Sequence, residues 1–262
     1  MGKGEALGAQ PKSGAGARRP AHYRVMRLVR RVLGSMALGG LLSVSRCGGE
    51  ARADELPGPV VPAQATGAAY ALDAVPREIP EGRMKCPKFE TKRYLGTQIV
   101  YSSPIFVHAA FVDKLVAFDA LVRQVAIEVY GRPPRGLHHL GGTLCETLNG
   151  QRRFGEHAFG NAIDVDKFEF APLGPGEALP KGIPAALEKG FTVALSWHFF
   201  SKTEVGRVHA RFLNRLALRL VADKTLFRTV LGPGYGDHWN HFHLDAAPAR
   251  FVFVLASKEA AQ

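Results

Sequence analysis

The chain has 262 residues, with 34 Lys and Arg against 23 Asp and Glu, and that length allows one sizeable domain or two small ones. Its net charge of +11 is unevenly spread: residues 1–53 hold ten basic and two acidic residues, whereas the remainder holds 24 basic against 21 acidic. Most of the basicity therefore lies in the first fifth of the chain, and the rest offers no charge-based case for a nucleic-acid partner.

Residues 1–20 are Gly, Ala, Pro, Lys and Arg with almost no bulky apolar side chains, a composition too poor in buriable surface to fold. From Met26, an alternative start, Arg27, Arg30 and Arg31 precede an apolar run from Val32 to Val44, which is too short to span a bilayer. Ala51, Arg52 and Ala53 then form a small-x-small cleavage pattern, so residues 1–53 read as a disordered start and a signal peptide cut before Asp54. Arg46 before Cys47 disfavours lipidation. The mature chain is expected to be exported, periplasmic or extracellular, with no stable membrane anchor after cleavage.

Residues 54–80, rich in Pro, Ala and Gly, read as a flexible linker, and the folded domain is expected over 81–262. Ser102, Ser103 and Pro104 open a segment in which Phe111, Leu115, Phe118, Val122, Val125 and Val129 recur at helical spacing until Tyr130 and Gly131. A second amphipathic helix runs from about Glu204 to Ala222, with Val208, Phe212, Leu216 and Leu220 on one stripe and Ser201 or Thr203 as its cap. Strand-like runs lie near 137–145, 162–170, 191–199, 241–246 and 251–255. They do not alternate regularly with helices, which predicts an α+β fold with a mostly antiparallel central sheet and flanking helices. Cys86 and Cys145, the cysteines left after cleavage, are either one disulfide closing a long loop or two buried thiols.

Two clusters carry the chemistry. In GEHAFGNAIDVD, residues 155–166, a bend at Gly160 and Asn161 brings a strand back towards His157. The two-residue period of that strand puts Ile163 and Val165 in the core and Ala162, Asp164 and Asp166 on the other face. A carboxylate among apolar residues is costly unless paired or bound to a metal. In GPGYGDHWNHFHLD, residues 232–245, His241, His243 and Asp245 share one strand face, and His238 comes from the preceding turn. So many imidazoles in so short a stretch are poorly explained as packing. Together the clusters offer two His and one carboxylate with a fourth position for water, the way catalytic zinc is commonly held. Asp245 is the alternative to Asp164, or a group behind the ligands.

The run H-x-x-G-x-A-x-D at 157–164, followed by H-x-H at 241–243, resembles the zinc metallopeptidase superfamily of D-Ala-D-Ala peptidases, murein endopeptidases and the hedgehog domain. The longer pattern, R-F-G-E-H-A-x-x-N-A-I-D with FRTVLGPGYGDHWNHFHLD, resembles the bacterial extensin-like C-terminal family within it, over roughly Cys86 to Asp245. The resemblance implies a hedgehog/DD-peptidase-like fold, Zn2+ held by His157, Asp164 and His243, and hydrolysis of an amide bond in peptidoglycan peptides, by an endopeptidase or a carboxypeptidase. His238 stands where penicillin-insensitive murein endopeptidases also have His, and so inherits the catalytic role with His241 beside it. Arg153 matches an Arg that would hold the substrate carbonyl or oxyanion. Gly155 stands where the superfamily usually has Ser, and Glu146 where the extensin-like family tends to have Arg. Trp239 and Tyr235 either line a cleft or pack the loop. His108, His138, His139, His198 and His209 lack partners at metal spacing and are expected to be structural. Two rival readings are a zinc-containing wall-binding module without turnover and a histidine-metal nuclease; the H-x6-D element speaks against the second.

Overall fold

The computed structural model describes residues 70–79 and 85–255. The leader, its cleavage site, the linker as far as residue 69 and the expected domain start near Glu81 lie outside the described residues. Among these residues are nine strands and three α-helices: β1 (Thr91–Tyr94), β2 (Val100–Tyr101), β3 (Ile105–His108), α1 (Ala109–Tyr130), β4 (Gly136–Gly141), β5 (Ala162–Phe170), β6 (Phe191–Ala194), α2 (Leu195–His198), α3 (Glu204–Ala222), β7 (Thr229–Leu231), β8 (Phe242–Asp245) and β9 (Phe251–Phe253). The fold is α+β. Its main sheet has seven strands in the order β2-β4-β5-β8-β7-β9, with β6 also paired to β5. The sheet is mixed: β2–β4 and β7–β9 are parallel and the other pairs antiparallel.

Both long helices bury the predicted stripes. Phe111, Leu115, Phe118, Val122, Val125 and Val129 of α1 and Val208, Phe212, Leu216 and Leu220 of α3 are buried. They share one core with Leu137, Ile163, Val165, Phe168, Val230, Phe242 and Leu244 of the sheet, so the helices cover a single sheet face. Thr203 caps α3 by accepting from the Gly206 N–H, and Gly131 in the left-handed region ends α1. The start of α1 differs from expectation. Strand β3 occupies 105–108, and the His108 Nδ1 accepts from the Ala110 N–H at 3.0 Å, so the helix begins after His108, which caps it, and not at Ser102–Pro104.

Three further boundaries need correction. The run 137–145 leaves the sheet after Gly141, and the run 191–199 is a strand only to Ala194 before it turns into α2. Residues 70–79, expected within a flexible linker, are packed instead: Leu72 joins a small cluster with Phe154, Ala158 and Phe159, and Arg77 is buried. In β5, Val165 pairs with His139 and Lys167 with His138, which leaves Asp166 as an extra residue. This bulge resets the alternation, so Ile163 and Val165, then Phe168 and Phe170, all face the core. Cys86 and Cys145 are disulfide-bonded, with Cα atoms 5.8 Å apart. The bond anchors the loop after β4, in which the Leu144 N–H donates to the His157 carbonyl at 3.1 Å.

Candidate metal centre

Strands β5 and β8 are neighbours with Asp164 directly opposite His243. Opposed residues share a sheet face, and because Val165, Phe242 and Leu244 fill the core face, Asp164 and His243 stand together on the other. His157 arrives from a single 3-10 turn, Glu156–Phe159, which ends at Gly160. That glycine has φ +61°, and a Cβ there would lie 2.7 Å from the His108 nitrogen and from the Phe89 ring. Only glycine makes the bend that returns the chain into β5.

Donor atoms of three residues converge. His157 Nε2 lies 3.1 Å from His243 Nδ1 and 3.2 Å from Asp164 Oδ2, and His243 Nδ1 lies 3.0 Å from Asp164 Oδ1. A tetrahedral ion with bonds of about 2.0–2.1 Å has ligand atoms about 3.3 Å apart, so the spacing fits one metal ion held by three residues. The other nitrogens are already engaged. His157 Nδ1 faces the Gly142 carbonyl at 3.3 Å, and His243 Nε2 faces Asp245 Oδ2 at 2.9 Å. Such contacts fix which nitrogen of each imidazole is presented to a metal. Asp245 therefore stands behind His243 and not among the three converging donors.

The charges follow from burial and these contacts. Burial works to raise the Asp164 pKa, but the hydrogen bonds from His157 and His243 outweigh it and hold the carboxyl far below its usual range. Burial likewise opposes charge on His243, and its two carboxylate partners, Asp164 and Asp245, overcome this and push it up to about 10. His241 is pulled down to about 4, chiefly by burial, and the half-buried His238 is lowered by burial and by the neighbouring His243. Both are thus uncharged near neutrality.

His238 sits in the turn before β8, its ring 4.8 Å from that of His241 and 5.7 Å from that of His243. His241 Nε2 is 3.7 Å from Asp164 Oδ1, and its Nδ1 meets the Asn240 side-chain oxygen at 2.8 Å. The structure thus brings together His157, Asp164, His243, His238 and His241. Arg153 is not joined to them: it is exposed, its backbone bridges Glu78, and among the described residues no hydrogen bond or ion pair links it to the three donors. Trp239 is exposed and Tyr235 packs against His238, Phe251 and Phe253. A Cβ at Gly155 would meet nothing within 4 Å, so the missing serine leaves open space.

The remaining histidines lie elsewhere. His139 meets Ser103, His198 accepts from the Ala194 N–H, and His209, lowered to about 4 chiefly by burial, meets the Tyr130 hydroxyl. His138 meets the carboxylate of the buried Asp166 through Nδ1, a contact the spacing did not suggest. Comparison of the chain with models of known families, with curated proteins and with solved structures gives no match.

Proposed function

We propose that the protein is an exported zinc-dependent hydrolase of peptidoglycan peptides, with a hedgehog/DD-peptidase-like fold and an extensin-like character. The observation that carries this reading is the convergence of His157 Nε2, His243 Nδ1 and Asp164 within 3.2 Å of one another while the second nitrogen of each imidazole is held by another group. Two nitrogens and one carboxylate oxygen form a donor set typical of catalytic zinc. When bound, zinc would polarise the scissile carbonyl and make hydroxide available near neutral pH.

The protein's own groups do the rest. His157, Asp164 and His243 hold the metal, and Asp245 fixes the His243 ring. His238, uncharged near neutrality and beside the three donors, takes a proton from the attacking water and passes it to the leaving amine. His241, held by Asn240, packs against His238 and keeps its ring at the site. Arg153, exposed on the segment leading to His157, is assigned to the substrate and not to the metal. Incubating the zinc-loaded protein with purified sacculi and identifying released fragments by mass spectrometry tests this reading. New peptide ends are expected; new sugar ends, or no cleavage by a protein with full zinc, would refute it.

A further inference from the structure

The two metal-bearing motifs are some eighty residues apart in sequence, and a third segment touches both. Arg77 is 3% exposed and grips the carboxylate of Glu156, itself 8% exposed, with Nε to Oε1 and Nη2 to Oε2 both at 3.0 Å. Its Nη1 donates to the Leu72 and Val75 carbonyls, and its guanidinium lies over the Phe159 ring. Glu156 immediately precedes His157 in the turn. The same carboxylate accepts from the fully buried Asn161 amide, whose oxygen accepts from the Tyr70 hydroxyl at 2.7 Å. Both ends of the bend that carries His157 towards Asp164 are therefore held from residues 70–77.

The same segment reaches the second motif. Asp73 makes a two-pronged pair with Arg228, one contact measuring 3.0 Å. The Arg228 N–H donates to the Asp245 carbonyl at 2.8 Å and its guanidinium to the Ala247 carbonyl at 3.2 Å. Asp245 in turn holds His243 Nε2. Tyr70 lies between the two anchors, with Lys114 and Arg228 over its ring.

Resting on the metal-site reading above, we infer that residues 70–79 are a clamp on the metal centre, with Arg77 positioning His157 through Glu156 and Asp73 positioning His243 through Arg228 and Asp245. Forked Arg–carboxylate pairs fix direction as well as distance, and groups standing behind metal ligands commonly govern 10- to 100-fold of affinity. A buried forked pair is also costly to unbalance, so the conservative substitution is the informative one.

The test uses the full chain and the variants Arg77→Lys and Asp73→Asn. Zinc affinity is read by competition with a chromophoric chelator, ligand geometry by the visible spectrum of the Co2+ form, and folding by thermal melting. In zinc-free protein, the imidazole proton signals of His157 and His243 report ring placement without any metal. Arg77→Lys, measured where it is fully folded, is expected to weaken zinc about 10- to 100-fold, to alter the Co2+ spectrum and to shift the His157 signals. Asp73→Asn removes a partly exposed pair of small energetic weight, so the protein stays folded while zinc weakens at least about threefold and the His243 signals move. Should Arg77→Lys fail to fold, Asp73→Asn alone decides. Folded variants with wild-type zinc affinity and an unchanged Co2+ spectrum would overturn the clamp alone. So would a loss of affinity that matches the unfolded fraction. A wild-type protein that binds no zinc would overturn the metal reading and the clamp with it.

Discussion

Metal binding at this site should carry a proton cost that can be counted. His243 places Nδ1 against Asp164 and Nε2 against Asp245, so both nitrogens face carboxylates and the imidazolium is the form that satisfies both. Its pKa of about 10 means that the ring is protonated throughout the neutral range. A metal needs the Nδ1 lone pair, so that proton must leave while the Nε2–H stays on Asp245. Binding should therefore release about one proton per metal, and the apparent affinity should rise about tenfold per pH unit, or about 100-fold from pH 6.5 to 8.5. Titration calorimetry in buffers of different ionisation enthalpy counts the proton, and chelator competition at several pH values gives the slope. The metal-free protein supplies a second readout with a definite sign. The folded pKa of His243 lies above its ordinary 6.5, so the stabilisation it brings is fully present below pH 6.5 and is lost as pH rises through about 10. The depressed Asp164 contributes above its ordinary 3.8 and is lost as pH falls through its low folded value. The His243 contribution is at most about 5 kcal/mol, so thermal stability of the metal-free protein should decline steadily from pH 7 to 10. Affinity independent of pH, with no proton released, would refute this account of His243.

Replacing His238 with Gln should leave zinc bound and the fold intact while hydrolysis of wall peptides falls about 100- to 10,000-fold, as measured by fragment release from sacculi. Loss of zinc in that variant would instead make His238 a ligand. Cys86 and Cys145 are 59 residues apart, and on the chain-entropy estimate their bond contributes about 4 kcal/mol, so the double Ser variant should unfold at correspondingly lower denaturant in an equilibrium titration. Amino-terminal sequencing of protein recovered from the periplasm or medium should begin at or within a few residues of Asp54; only full-length cytoplasmic protein would contradict export.

Periodicity made the large elements legible. The apolar stripes of α1 and α3 and the alternation that puts Asp164 and His243 on the open sheet face are local patterns, and the structure keeps them. The strands β1, β2, β3 and β7 were not read from the sequence: within two to four residues period does not decide between strand and loop, and the equally short β6, β8 and β9 were read only as parts of longer strand-like runs. The bulge at Asp166 was hidden for a related reason: it depends on how β4 pairs with β5, not on the residues of β5 alone. At the site, spacing and the family resemblance pointed to the three converging donors and to His238 and His241. Nothing local announced Arg77 and Glu156, since an ion pair across 79 residues leaves no pattern in either segment. The Pro- and Ala-rich composition before residue 80 suggested a linker, yet Tyr70, Leu72 and Arg77 supply enough burial and pairing to fasten residues 70–79 to the domain.

The central claim is that His157, Asp164 and His243 together hold one metal ion, and elemental analysis of purified protein after dialysis against a zinc buffer tests it most directly. One zinc per chain is predicted for the wild type and for His198→Ala, whose ring is engaged with the β6 end and His209. Ala at His157, Asp164 or His243 should each reduce zinc to a small fraction of that, because three protein ligands leave none to spare. Zinc content that survives all three substitutions would contradict the account.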